Sequence, residues 1–566
     1  LFPYRKNLFF VFFLVVLWHS ENKLKKHRKD MQRLMLLGDE AIAQAAIDAG
    51  LSGIYAYPGT PSTEITEYVH SSKEAKEKGI VASWGANEKT AMEGALGMSY
   101  AGKRAMACMK HVGLNVAADP FMNSAITGAN GGLVYIVADD PSMHSSQNEQ
   151  DSRYFGKFAL IPVLEPANQQ EAYDMVFYGF EFSEKYQIPV MMRITTRLAH
   201  SRAAVVRREQ LPQNDLKLPA NLRQFVLLPS IARKQYKVLL NNQALFEQES
   251  ETSGNNKYID ATDKSMGIIA CGLGYNYLME NYPEGKCPYP LIKLTQYPLP
   301  SKMIGRLVEE TEKILVIEDG YPIVEEQLKG LLSIGLKVHG RLDGTIPRDG
   351  ELNPNILARA LGMEDTIGQP VPTIVAGRPP SMCRGCSHID SYNALNEALE
   401  KYAKGRVFSD IGCYTLGALA PFEAINTCVD MGASITMAKG AADAGLIPAV
   451  AVIGDSTFTH SGITGLLDAV IDKSPITVII MDNSTTAMTG GQTSHAFGRV
   501  AEICKGIGVE EEHIHILKPL KKHHEENTEI IKKELEYNGV SVIIPTRECI
   551  QTLNRRMRLK FKEKEA

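Results

Sequence analysis

Two turn sequences, Gly454-Asp455-Ser456 and Asp482-Asn483-Ser484-Thr485, close compact, mainly apolar runs at residues 449–453 and 476–481, and Asn483 follows Gly454 by 29 positions. Such runs read as buried parallel strands. In an open parallel sheet, ligands bind beyond the carboxyl ends of the strands, so these two strands deliver an Asp and an Asn to one edge. The side chains of Asp455 and Asn483 and the carbonyl of Thr485 form a hard oxygen set that suits Mg²⁺ bridging to a diphosphate, with backbone N–H groups near Gly454 and Ser456 facing its oxygens. Taken singly, each turn is more often an ordinary strand end. The shared spacing, with Thr489-Gly490-Gly491-Gln492 close behind, favours the metal reading.

Cys383-x-x-Cys386 has half the spacing of a zinc site, but no second CxxC or paired histidines complete it. His388, beside this pair, either contacts a cofactor or satisfies backbone carbonyls. Glu88 opens a small-residue stretch with helical spacing, where a solvated carboxylate would be favoured by the helix dipole. Gly272-x-Gly274 lacks the third glycine and the acidic partner of a dinucleotide site and reads as a strand-to-helix turn.

These residues sit in an alternation of strand and helix patterns that predicts an α/β class with three doubly wound units and mainly parallel sheets. The chain has 566 residues, 61 Lys plus Arg against 65 Asp plus Glu, a net charge of −4 and 44% apolar content. That composition excludes disorder and a disulfide scaffold, and it weighs against a dedicated nucleic-acid binder. Nine scattered cysteines suit a reducing compartment, so a cytoplasmic location is expected. The apolar run at residues 8–18 is too short to span a bilayer, which takes about 20 residues. The chain starts with Leu, and residues 1–34 read as translated upstream sequence outside the fold. The first unit is expected over 35–205, a polar linker or insert over 206–264, a second unit over 265–370, a third over 371–550 and a basic tail over 551–566.

Gly454-Asp455 followed by Asn483 resembles the thiamine diphosphate motif, with Ser456 where Gly is commoner. Tyr57-Pro58-Gly59-Thr60-Pro61-Ser62, Cys383-Arg384-Gly385-Cys386-Ser387-His388, Asp410-Ile411-Gly412-Cys413 and the 489–492 segment extend the likeness. The chain is similar to the thiamine diphosphate-dependent 2-oxoacid:ferredoxin oxidoreductases over about residues 35–550. The resemblance implies pyrimidine-binding (35–205) and diphosphate-binding (371–550) domains flanking a transketolase C-terminal-like domain. It also implies thiamine diphosphate, Mg²⁺ and a 4Fe-4S cluster as cofactors.

Thiamine chemistry needs a buried carboxylic acid against the aminopyrimidine ring, and the resemblance makes that acid Glu88. The carboxylate of a 2-oxoacid needs a clamp, for which Thr60, Lys110 and His111 are candidates, the last two reading equally as a loop end. By resemblance, Cys383, Cys386, Cys413 and Cys549 hold the cluster; Cys108, Cys271, Cys287, Cys428 and Cys504 have no such pattern. Family alpha subunits commonly end in a ferredoxin-like domain, whereas the residues after Cys549 contain no Cys. Electrons would then leave from the cluster directly to ferredoxin or through another chain.

The implied activity is oxidative decarboxylation of an aryl 2-oxoacid such as indolepyruvate, with transfer of the acyl group to coenzyme A and of two electrons to ferredoxin. The implied partners are a beta subunit and ferredoxin, in a dimer of the alpha subunit or a heterotetramer, without nucleic acid or membrane. The competing readings are a non-oxidative thiamine-dependent decarboxylase or lyase, which would not need the cysteine quartet, and a noncatalytic thiamine-binding scaffold, which would not need Glu88.

Overall fold

The computed structural model describes residues 32–565 apart from 222, 332–334, 336, 367, 369, 378 and 379. The described residues divide into two compact units, one made of residues 32–56, 64–83 and 92–366, the other of 57–63, 84–91 and those from 368 on.

The first unit holds two large sheets and a two-stranded one, Arg33–Leu37 with Arg202–Val206. Seven strands lie in the order Gln296–Tyr297, Val163–Leu164, Val190–Thr195, Leu133–Asp139, Ala105–Lys110, Gly53–Ala56, Val81–Trp84. The pairs from Val163–Leu164 to Gly53–Ala56 are parallel, and Gln296–Tyr297 adds an antiparallel edge. The three middle strands are buried along their whole length, which explains why they read as apolar runs and not as alternating patterns. The second sheet runs Val338–His339, Ile314–Ile317, Gly267–Cys271, Leu291–Leu294, Lys257–Ile259, parallel except for the last strand.

A buried ionic cluster lies in this unit. Arg193 Nε is 2.7 Å from Asp139 and its Nη1 2.5 Å from Glu165, while Arg153 Nη2 is 2.5 Å from Asp151 and its Nη1 3.1 Å from Glu318. Carboxylates outnumber the two guanidinium groups here. Burial, against the pull of Arg153, pushes the Glu318 carboxyl up to about 7. The burial of Asp319 likewise raises it to about 6.

Three expectations need correction. The strand Arg33–Leu37 pairs with Arg202–Val206, Arg33 opposite Val206, so residues 33 and 34 belong to the fold; the apolar run at 8–18 lies outside the described residues. The expected linker contains the helix Pro229–Thr252 and the strand Lys257–Ile259. Its polar composition reflects a mostly exposed helix, anchored by Leu239 and Phe246 on one face, with Phe246 against Phe182 and Tyr186. The expected tail forms the helix Ile550–Glu565.

The second unit is built on five parallel strands in the order Val407–Ser409, Ala449–Gly454, Ile476–Met481, Val540–Pro545, Ile514–Leu517. Ala449, Ala451 and Ile453 pack with Val478, Ile480, Val542 and Ile544 on one face. Val450 and Val452 pack with Ile479 and Ile543 on the other, the alternation of a sheet covered on both sides. Among the described residues, no helix is long and apolar enough to cross a membrane.

Candidate active site

Adjacent strands of the second unit end in register, Gly454 opposite Met481, so Asp455 and the Asp482–Asn483 turn emerge side by side at the carboxyl edge. A Cβ on Gly454 would come within 2.6 Å of the Tyr414 ring, which accounts for glycine there. Asp455 is buried, and its Oδ2 has no hydrogen-bond partner. Burial, then the neighbouring Asp482, raises its carboxyl to about 7, against the backbone N–H groups of Ser456 and Asn483 and the Ser494 hydroxyl. A buried carboxylate oxygen without a donor fits a divalent cation. The turn is held by Ser484 in the left-handed region at φ 65° and by the Thr485 N–H, which donates to Asn483 Oδ1 at 3.1 Å. Thr485 is itself buried, its hydroxyl donating to the Gln492 carbonyl at 2.9 Å.

Segments 57–63 and 84–91 belong to this same unit and bring Tyr57 and Glu88 to it. Glu88 is the first residue of the helix Glu88–Tyr100 and is buried, unlike the solvated carboxylate that its local sequence suggests. Its Oε2 lies 2.7 Å from His460 Nε2. His460 sits in a wide π-helical turn, Phe458–Gly462, directly after the Asp455–Thr457 turn of helix, and its carbonyl accepts from Asn87 Nδ2 at 2.9 Å. Tyr57 meets the His460 ring edge-on at 4.7 Å and hydrogen-bonds Ser456 Oγ at 2.9 Å. Ser456 also bonds Thr486 Oγ1 at 2.8 Å, so the side chain that departs from the usual glycine ties three segments together.

A cavity of about 530 Å³ in this unit is lined by Cys383, Cys386, Cys413, Cys549, His388 and Asn483. Each thiol is set by local geometry. The Cys386 N–H donates to the Cys383 carbonyl across a turn with Gly385 at φ 81°, and Cys386 caps the helix Ser387–Ala398. Cys413 follows Gly412, where a Cβ would strike the Tyr414 ring at 2.3 Å; Tyr414 in turn bonds the Asp410 carboxylate. The Cys549 N–H donates to the Asn483 carbonyl at 3.1 Å, just before the helix Ile550–Glu565, whose Arg555 and Arg558 also line the cavity. Burial and the three other thiols push Cys413 up to about 12. No three of the four thiols come within 4.8 Å of one another, whereas tetrahedral zinc with Zn–S near 2.3 Å puts them about 3.8 Å apart. His388 is buried, 3.5 Å from Asn483 Nδ2, and burial lowers its imidazole to about 4, so it is neutral at pH 7.

Thr60 lies partly buried in the turn that precedes the helix Thr63–Ser71 and belongs to this unit. Lys110 and His111 belong to the first unit, at the end of the strand Ala105–Lys110. There Lys110 Nζ donates to the Ser145 carbonyl at 3.0 Å, and burial lowers its amine. His111 is buried with both ring nitrogens unpartnered and its imidazole lowered by burial. His460 is the site residue that sequence reasoning missed. Its signal was its place five residues after Asp455, which no helical or strand period marks.

Family models match two stretches of the chain: "Pyruvate flavodoxin/ferredoxin oxidoreductase, thiamine diP-bdg" over residues 44–237 and "Thiamine pyrophosphate enzyme, C-terminal TPP binding domain" over residues 410–544. Indolepyruvate oxidoreductase subunit IorA of Archaeoglobus fulgidus is 37% identical, covering 92% of this chain and 86% of its own. The chain belongs to the IorA family of indolepyruvate oxidoreductase subunits. Family members from Pyrococcus horikoshii and Methanothermobacter thermautotrophicus are 39% and 36% identical, over 92% of this chain and 86% and 88% of theirs. A solved 2-oxoglutarate:ferredoxin oxidoreductase from Magnetococcus marinus is similar at TM-score 0.49 and 16% identity, over 59% of this chain and 65% of its own. The two matched stretches carry Glu88 and Asp455 respectively, and both fold as α/β layers.

Proposed function

We propose that this chain is the catalytic alpha subunit that oxidatively decarboxylates an aryl 2-oxoacid, indolepyruvate in the first instance, to the aryl-acetyl-CoA with ferredoxin as electron acceptor. The observation that carries the reading is Glu88, a buried acid held in the same unit as the Asp455–Asn483 edge. Asp455, Asn483 and the Thr485 carbonyl would hold Mg²⁺, and N–H groups at Gly454 and Ser456 the diphosphate. When bound, thiamine diphosphate supplies an acidic carbon that adds to the keto group and takes up the electron pair released with CO₂. Glu88 holds the proton that the aminopyrimidine ring needs to turn its amine into a base. Glu88 and His460 are both buried, which keeps bulk water from that proton. Thr60 is the preferred hydroxyl for the oxoacid carboxylate, with Lys110 and His111 as cationic or donor candidates. Cys383, Cys386, Cys413 and Cys549 would hold a 4Fe-4S cluster that receives the electrons. A smaller beta subunit completes the enzyme. Glu88 and His460 come from one polypeptide, so a second copy is not needed to unite them.

The test is indolepyruvate-dependent ferredoxin reduction by this chain with its beta subunit, coenzyme A and thiamine diphosphate, run beside Asp455→Ala. Wild type should turn over, while the variant should bind the cofactor at least about tenfold more weakly, corresponding to about 1.4 kcal/mol. CO₂ release without ferredoxin reduction would mean a non-oxidative decarboxylase. Wild-type cofactor affinity in Asp455→Ala would remove the metal assignment.

A further inference from the structure

Outside that site, a second group of metal-ligating side chains has no role in the reaction. Asp39 is the second residue of the helix Gly38–Asp48, Glu64 the second residue of the helix Thr63–Ser71, and His200 the last residue of the helix Thr196–His200. One ligand atom from each falls within 4.8 Å of the others. His200 Nε2 is 3.6 Å from Glu64 Oε1, and both side chains are about one-third exposed, at 36% and 37%. Asp39 is the opposite case. It is fully buried, yet neither of its carboxylate oxygens has a hydrogen-bond partner, and Glu64 Oε2 lacks one as well.

We infer that Asp39, Glu64 and His200 form a site for one first-row divalent metal ion, zinc by ligand type, that ties these three helices together. An unpaired buried carboxylate is costly, and two carboxylates side by side raise the cost. Burial, and then Glu64, accordingly push the Asp39 carboxyl well above its ordinary range. A divalent ion neutralises both carboxylates at once and gives Asp39 a partner that no N–H among the described residues supplies. The imidazole nitrogen argues against Mg²⁺ or Ca²⁺, which take oxygen ligands. One nitrogen and two carboxylate oxygens match a three-ligand zinc site whose remaining position opens to water, and the exposed rim formed by Glu64 and His200 leaves that position accessible. The alternative is a proton shared between Asp39 and Glu64, with a protonated His200 paired to Glu64.

The test uses the full chain freed of metal by chelation, titrated with Zn²⁺ by equilibrium dialysis and with Co²⁺ by absorption. Co²⁺ on the cysteines gives thiolate charge-transfer bands; on Asp39, Glu64 and His200 it gives ligand-field bands without them. His200→Ala, a change at a partly exposed side chain that leaves the core intact, should weaken Zn²⁺ binding at this site at least about tenfold, since even loss of an outer-shell partner costs that much. Zn²⁺ should raise the melting temperature of the wild type and should lose that effect in both His200→Ala and Asp39→Asn. Zn²⁺ affinity and melting behaviour equal to wild type in both variants, or a Co²⁺ spectrum with thiolate bands only, would overturn the metal site in favour of the shared proton.

Discussion

His460 Nε2 lies 2.7 Å from Glu88 Oε2, although 372 positions separate the two in the chain. The contact joins the helix that begins at Glu88 to the turn that follows Asp455, and Asn87 adds a second bond to the His460 carbonyl. An acid that must present one oxygen to a ring nitrogen needs its other oxygen fixed, and His460 occupies that position.

Glu88→Gln keeps size and hydrogen-bonding capacity while removing the acid. Cofactor binding should therefore survive while proton exchange at the thiazolium carbon slows by orders of magnitude. His460→Ala, which acts only through Glu88, should slow exchange less, by about ten- to a hundredfold, and His460→Gln should restore part of it because its amide can still donate to Glu88. Deuterium exchange followed by NMR reads both effects. Wild-type exchange in Glu88→Gln would end its assignment as the acid.

Anaerobically prepared chain should contain close to four irons if Cys383, Cys386, Cys413 and Cys549 hold one cluster. Cys549→Ser should lower the iron content and stop ferredoxin reduction, while thiamine diphosphate still binds, because the proposed Mg²⁺ ligands are different side chains. Cys504→Ser is the control, since Cys504 is buried in the helix Val500–Ile507 with no thiol partner in the cavity. Fully active protein without iron would place the electron route in the partner subunit.

The buried Glu318 carboxyl, raised to about 7 chiefly by burial, makes stability depend on pH. Its folded pKa lies above the unfolded value, so the folded state binds the extra proton and stability rises as pH falls through 7. The gain is complete only below the unfolded carboxylate pKa of about 4.3. Lowering the pH from 8 to 6 should stabilise the wild type relative to Glu318→Gln by about 1 kcal/mol. Thermal melts of both proteins at the two pH values measure it, and a constant difference would mean that Glu318 stays ionised beside Arg153.

The parallel strands were legible because burial on both faces leaves runs such as residues 449–453 without a polar interruption. Gly454, Asp455 and Asn483 were legible because ligand turns follow such strands. The helix Pro229–Thr252 was not, since its exposed face dominates its composition and only Leu239, Phe246 and Ser250 are buried. Residues 33 and 34 were also missed, because the strand Arg33–Leu37 is defined by its partner Arg202–Val206 far along the chain. His460 and the Asp39–Glu64–His200 group share this character: each depends on residues that only the tertiary fold brings within bonding distance.

The order of strands in the second unit has a consequence for how the chain is made. Val540–Pro545 leaves the ribosome last of the five, yet it occupies an inside position, and Ile514–Leu517 has no other strand to pair with. Until residues 482–539 have been added, at roughly 5–20 per second, the strand Ile476–Met481, apolar except for Thr477, presents an open edge. Such an edge is a template for strands of neighbouring nascent chains. Synthesis that stalls in this interval exposes the cell to aggregation, and a chain cut short before Val540 keeps that edge open permanently.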